Sequence, residues 1–316
     1  MEGPTYKEKI QLERAYALWK KIAPSLKWIL VIALGTGIGN IISFPALDWY
    51  SNNQSQESSL NSESDSNNAI SSNNATCNIA VIPIDSGIAT VTDGEFLGME
   101  GDFNTSADNV VDVITEAEKE DRIEGIMLRI DSGGGTPVAS EIIAEAVKNA
   151  KKPVIALIRE AGNSGAYLVA SAADTIIASP MSDVGSIGVT MSYLANAEEN
   201  VKSGKQFIEL VAGKFKEVGN PDRPLSNEER ALFQRDLDIV YSQMVEEISK
   251  NRNMPIEKVR QLADGSSMPG TLALKNGLVD ELGGQETARA WFAKKLDIEN
   301  DEIEFCKPVW SVPDEE

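Results

Sequence analysis

The chain has 316 residues, a formal net charge of −20, two cysteines and no histidine. So acidic a balance argues against a nucleic-acid partner, because phosphate binding needs a basic face. Without histidine neither Ser-His-Asp nor Cys-His catalysis is available, and any hydrolytic serine must pass its proton to another base, for which lysine is the known alternative. Cys77 and Cys306 lack metal-site spacing, so no zinc site and no cofactor is expected.

Residues 1–27 are polar and helix-prone, with six basic side chains against three acidic ones. Residues 28–47 carry no charge over 20 positions, about enough to cross a bilayer as a helix. Trp28, Trp49 and Tyr50 stand where interfacial aromatics would stand. The leader is long for a cleaved signal peptide, and no A-x-A site follows the apolar run. The expectation is a single-pass cell-membrane anchor with a cytoplasmic N-terminus and an exported C-terminal domain. Residues 48–76 are rich in Ser and Asn and too polar to bury a core, which predicts a flexible linker. Asn53 and Asn74 match the glycosylation acceptor pattern, as chance matches in so Asn-rich a stretch unless the organism glycosylates.

From residue 77 to 316 the composition is that of one globular domain. Strands are expected at 79–84, 125–130, 154–158, 175–178 and 207–211. Helices are expected at 108–120, 140–150, 166–173, 227–251 and 256–263, with two more within 272–296 around Gly277. Strands alternating with helices describe an α/β domain with parallel strands, whose ligands bind at the strands' carboxyl edge. Cys77 and Cys306 both fall on the exported side. They either join the start and end of this domain or remain two isolated buried thiols.

Three stretches carry chemistry. Ser164 follows an apolar strand and precedes a helix of small residues; it is either an ordinary N-cap or an accessible nucleophile flanked by Gly165 and Ala166. Gly133, Gly134 and Gly135 either make a tight turn or let backbone N–H groups approach an oxyanion. The pattern of a phosphate loop is absent. Lys214 and Lys216 are either solvated or a general base, which requires a lowered pKa that sequence does not reveal.

Together these stretches resemble the signal peptide peptidase A type of serine protease, peptidase family S49, a Ser/Lys-dyad family with the ClpP/crotonase fold of repeated ββα units. The resemblance runs over about 79–293. It rests on LRIDSGGGTPVASE, NSGAYLVASAADTIIASP, VGSIGV, VAGKFKEVGNPDRPLSNEE and GLVDELGG in that order. It implies Ser164 as nucleophile, Lys216 as general base in preference to Lys214, Ser186 as the serine that orients the lysine, and Gly135, with Gly134 beside it, at the oxyanion hole. Two departures stand out: Gly133 replaces the usual proline of Ser-Pro-Gly-Gly, and Ala166 replaces the second glycine of Ser-Gly-Gly. The resemblance further implies apolar peptide substrates such as signal peptides. It also implies a homo-oligomeric ring or dome, with serine and lysine coming either from one subunit or from neighbouring ones. Rival expectations are a crotonase-like acyl-CoA enzyme, against which the anchor and the lysine block speak, and a non-catalytic membrane scaffold of the same fold.

Overall fold

The computed structural model describes residues 76–92 and 103–306. The expected leader (1–27), anchor (28–47) and, Thr76 apart, linker (48–76) lie outside these. Among the described residues no helix is long and apolar enough to cross a membrane.

The domain is α/β around one sheet. In chain order its elements are β1 (Ile79–Ala89), β2 (Phe103–Ser106), α1 (Ala107–Lys119), β3 (Gly125–Gly135), α2 (Pro137–Asn149), β4 (Val154–Asn163), α3 (Gly165–Ser171), β5 (Thr175–Ala178) and β6 (Asp183–Gly185). There follow α4 (Ala197–Lys202), α5 (Asn227–Asn251), α6 (Ile256–Leu262), β7 (Ser267–Pro269), α7 (Gly270–Asn276), β8 (Glu281–Leu282) and α8 (Gln285–Leu296). The strand order is β2-β1-β3-β4-β5-β8, parallel throughout. β6 pairs parallel with the far end of β4, and β7 runs antiparallel to β6.

The central strands are buried on both faces, which is why they read as unbroken apolar runs rather than alternating ones. Ile79, Val81, Met127, Ile155, Leu157 and Ile177 face Phe292 of α8. Their neighbours Ile82, Ile84, Leu128, Ile130 and Ile158 face the larger core on the other side. Gly125 is needed where Phe292 crosses β3, since a Cβ there would lie 2.5 Å from the ring. The first two helices, α1 and α2, start on side-chain caps. Ser106 accepts from the Asn109 N–H, and Thr136 accepts from the Ala139 N–H ahead of Pro137.

The two ends of the domain are tied together. Cys77 and Cys306 form a disulfide with Cα atoms 5.1 Å apart. Beside it, the Asn78 and Ile79 N–H groups both donate to the Glu304 carbonyl at 3.0 Å. This decides between the two alternatives open at the sequence level.

Three features differ from the sequence reading. First, β3 and β4 run on through the glycine cluster and up to Asn163, because bulges let irregular backbone stay in the ladder. The register shifts between Asp85 and Gly87 in β1 and between Ile130 and Ser132 in β3. Second, residues 207–211 form no strand: Ile208 and Leu210 are 72% and 92% exposed, so the apolar run has no sheet beside it to join. Third, β2, β6, β7 and β8 have two to four residues each, too short for a periodic signal.

The disulfide closes a loop with a sequence separation of 229. Cys306→Ser is therefore expected to lower unfolding stability by about 2–4 kcal/mol. The check is the denaturant midpoint of both proteins with and without reductant. Equal midpoints under oxidising conditions would contradict a stabilising bond.

Candidate active site

The site is built where β4 turns into α3. Ser164 holds a φ of 52° and a ψ of −122°, a conformation that L-residues rarely adopt. Strain of this kind costs on the order of 1–3 kcal/mol and persists only where the surroundings impose it. Here they do. The Ser164 N–H donates to the Gly185 carbonyl at 2.8 Å, and its own carbonyl accepts from the Leu168 N–H at 3.1 Å. The Ser164 hydroxyl caps no backbone group, so the ordinary reason for a serine before a helix is absent. The small residues after it serve packing. All seven residues of α3 are buried, and a Cβ on Gly165 would lie 2.2 Å from Ser140 Oγ. Tyr167 anchors the helix by donating to the Leu278 carbonyl at 2.9 Å, and burial pushes its phenol well above the usual range.

The glycine cluster lies against this turn. Gly134 has a φ of 105°; a Cβ there would come within 2.9 Å of Ser164 Cβ and of the Asn163 carbonyl. Gly135 pairs with Ile88 of β1, and the Thr136 N–H donates to the Ile88 carbonyl at 2.8 Å. In a parallel ladder this phase turns the Gly135 N–H away from β1, toward the side where β4 and Ser164 stand. Its nitrogen lies 3.3 Å from the place a Gly165 Cβ would take. The Gly134 N–H is engaged within the loop, donating to Ser132 Oγ at 3.0 Å. Gly133 has open space around it.

Ser186 joins the site through β6. Asn163 pairs with Gly185, and Ser186 follows with a φ of 46°. Its hydroxyl donates to the Gly265 carbonyl at 3.1 Å, which leaves its lone pairs available to a donor. Lys216 stands elsewhere, in the turn 213–220, exposed and without a side-chain partner among the described residues. Lys214 differs from it: its ammonium pairs with Glu228 at 2.6 Å and lies over the Phe215 ring.

The turn bearing Lys216 is tied to the start of α5. Arg223 grips Glu229 with both terminal nitrogens and also donates to the Glu217 carbonyl at 2.7 Å. Glu229 completes a capping box with Ser226. The Arg223 hydrogen bond, followed by the Ser226 N–H, pulls the Glu229 carboxyl down to about 2. This clamp was legible only as a helix start with acids in its first turn; the arginine comes from outside the helix. α5 meets α3 at its other end, where Val245 and Ile248 are buried and Asn251 Nδ2 donates to Ser171 Oγ at 3.2 Å. At 1.5 Å per residue about 30 Å of helix separates the two attachments.

A family model described as peptidase family S49 matches residues 146–299. That span contains Ser164, Ser186 and Lys216 and begins after Gly134 and Gly135. A Methanocaldococcus jannaschii protein with a provisional protease name is 35% identical over 195 residues, 61% of this chain and 63% of its own length. A Synechocystis protein, also provisionally named a protease, is 35% identical over 191 residues, 59% of this chain and 68% of its own. The chloroplastic serine protease SPPA of Arabidopsis thaliana is 31% identical over 215 residues, 66% of this chain but 32% of its own length. The matched stretch thus spans from 32% to 68% of these relatives' own lengths.

Two expectations follow. Gly134→Ala puts a Cβ into the nucleophile turn at a strained φ, so the thermal midpoint should fall by several degrees and labelling of Ser164 by a fluorophosphonate should be lost. Unchanged labelling would separate Gly134 from the site. The second concerns acid. A carboxyl held low stabilises the clamp fully above its unfolded value near 4.5 and loses that contribution as pH falls toward about 2. Protection factors of residues 213–226, taken against the intrinsic exchange rate at each pH, should fall across that window in the wild type, and Glu229→Gln should show the low protection already at pH 7.

Proposed function

We propose that this chain, which belongs to peptidase family S49, is a membrane-anchored serine endopeptidase using Ser164 and Lys216 on apolar peptides. The observation that carries this reading is the strained, uncapped Ser164 at the end of a parallel strand, with the backbone of Gly134 packed against its turn. A neutral Lys216 takes the Ser164 proton as Oγ attacks the scissile carbonyl. The Gly135 N–H stabilises the oxyanion. Lys216 returns the proton to the leaving amine, then activates water to release the acyl group from Ser164. Ser186 accepts a hydrogen bond from the lysine and orients it, its own proton being committed to Gly265. A base that works near neutral pH needs desolvation or a neighbouring cation, and an exposed Lys216 lacks the first within one subunit.

A homo-oligomer in which Lys216 of one subunit serves Ser164 of the next meets that need. Two further observations support it. The Lys216 turn is fastened to the far end of α5 from the nucleophile helix. The segment 189–228 contains no buried residue, although Leu194 is 87% exposed and Leu210 92% exposed. Such an apolar, coreless arm is suited to being covered by another copy. The span 28–47 would hold the assembly at the cell membrane, with the catalytic domain on the extracytoplasmic side and membrane-associated peptides, signal peptides among them, as substrates.

Full-length protein should cleave an apolar fluorogenic peptide. Ser164→Ala and Lys216→Ala should each lose at least about 10³-fold in kcat, while Lys214→Ala stays within a few-fold. Mixing and co-refolding the two dead variants should restore part of the activity, because some interfaces then combine an intact serine with an intact lysine. A Ser164→Ala protein that cleaves like wild type sinks the mechanism, and a mixture that stays dead returns the dyad to a single subunit.

A further inference from the structure

Ser132 has no part in the chemistry above, yet it is among the few buried polar side chains of the domain, at 2% exposure. Both of its hydrogen-bonding capacities are spent on backbone. Its Oγ accepts from the Gly134 N–H at 3.0 Å and donates to the Ser86 carbonyl. Ser86 lies on the neighbouring strand β1 and holds a φ of 58°, uncommon for a residue with a Cβ. It sits where the β1–β3 register shifts, with Asp85 opposite Asp131 but Gly87 opposite Gly134. Ser132 itself pairs across the other edge of β3 with Gly162. One hydroxyl therefore joins the irregular stretches of two strands at the level where β3 becomes the glycine cluster.

This matters because the glycines bring no side chain of their own to the bulge, so beyond the ladder to β1 and the packing of Gly134 on the Ser164 turn its shape rests on the Ser132 hydroxyl. Gly133 has open space around it and no ring to limit φ, and Gly134 is at φ 105°. Two successive N–H groups, of Gly134 and Gly135, emerge from this bulge. Ser132 Oγ holds the first, which leaves the orientation of the second set by the ladder bond from Thr136 to Ile88.

Resting on the peptidase reading, we infer that Ser132 is a positioning residue for acyl transfer, fixing the bulge so that the Gly135 N–H meets the oxyanion formed at Ser164. It touches no reacting atom. Its effect is confined to the transition state, because the ground-state carbonyl does not depend on a strong donor there. Displacing an oxyanion donor by about 1 Å is enough to cost roughly 10²-fold in rate.

The experiment compares full-length wild type, Ser132→Ala, Ser132→Thr and Ser164→Ala on an apolar fluorogenic peptide, with kcat, KM and the pH profile of kcat/KM. Ser132→Ala should lose ten- to a hundred-fold in kcat with KM within about twofold and the pH profile unshifted, since the lysine base is untouched. Ser132→Thr, which keeps the hydroxyl, should recover most of the loss. Should Ser132→Ala fail to fold, Ser132→Cys keeps the shape with a weaker acceptor and is read in the same way. A folded Ser132→Ala or Ser132→Cys protein with wild-type kcat, or one whose loss lies in KM or in a shifted pH profile, overturns the positioning role alone. A wild type that cleaves nothing, or a Ser164→Ala protein that cleaves normally, overturns the peptidase reading and this inference with it.

Discussion

The contact between Gly134 and the Ser164 turn is the constraint on which the site depends. Two backbone segments from adjacent strands meet so closely that a single methyl group between them has no room. Gly134 holds a φ of 105°, open to glycine but not to a residue with a Cβ, and Ser164 is strained at a φ of 52°. The strain at Ser164 is sustained by a sheet whose central strands are buried on both faces and by the helix α3, which has no exposed residue. The same closeness brings the backbone of the glycine cluster against the serine turn with no flexible side chain between them.

Around this rigid centre the chain divides into two kinds of structure. From β1 to β6 the elements share cores and backbone ladders, and the disulfide closes the circuit from Cys77 to Cys306. The stretch 189–228 is organised differently. It holds itself through polar clamps, Arg223 on Glu229 and Asn200 on Asp222, rather than through buried apolar area. Clamps of this kind define a shape at little cost in exposed surface but do not bury the apolar side chains the segment carries. Ser164 stands on the rigid part and Lys216 on the clamped part.

Much of the architecture was legible without coordinates. The apolar runs starting at Ile79, Gly125, Val154 and Thr175 became strands, and the helix over Asn227–Asn251 appeared with the bounds its periodicity indicated. Such elements carry their own signal, because burial on two faces or one face leaves a pattern in the residues themselves. The short strands left no such pattern. Residues 207–211 show the converse: a β-prone run stayed out of the sheet, since pairing needs a neighbouring edge and propensity does not supply one. Of the site, Ser164, the glycines and Ser186 are brought around one turn, whereas the role of Ser132 and the Arg223 grip depended on neighbours 46 and 6 residues away.

The sequence by itself determined the chemical menu: no histidine, hence no imidazole base; a serine and a glycine cluster each closing an apolar strand; two lysines in one short segment; two cysteines at the borders of the globular region. Only the tertiary structure decided geometry. It joined the cysteines and packed Gly134 against the Ser164 turn. It also occupied Lys214 with Glu228 while leaving Lys216 without a partner among the described residues. The reason is physical. Residue type and local periodicity report which groups a segment carries and which face it hides, but a donor's direction and an ion's partner are set by other segments, through ladder phase and packing.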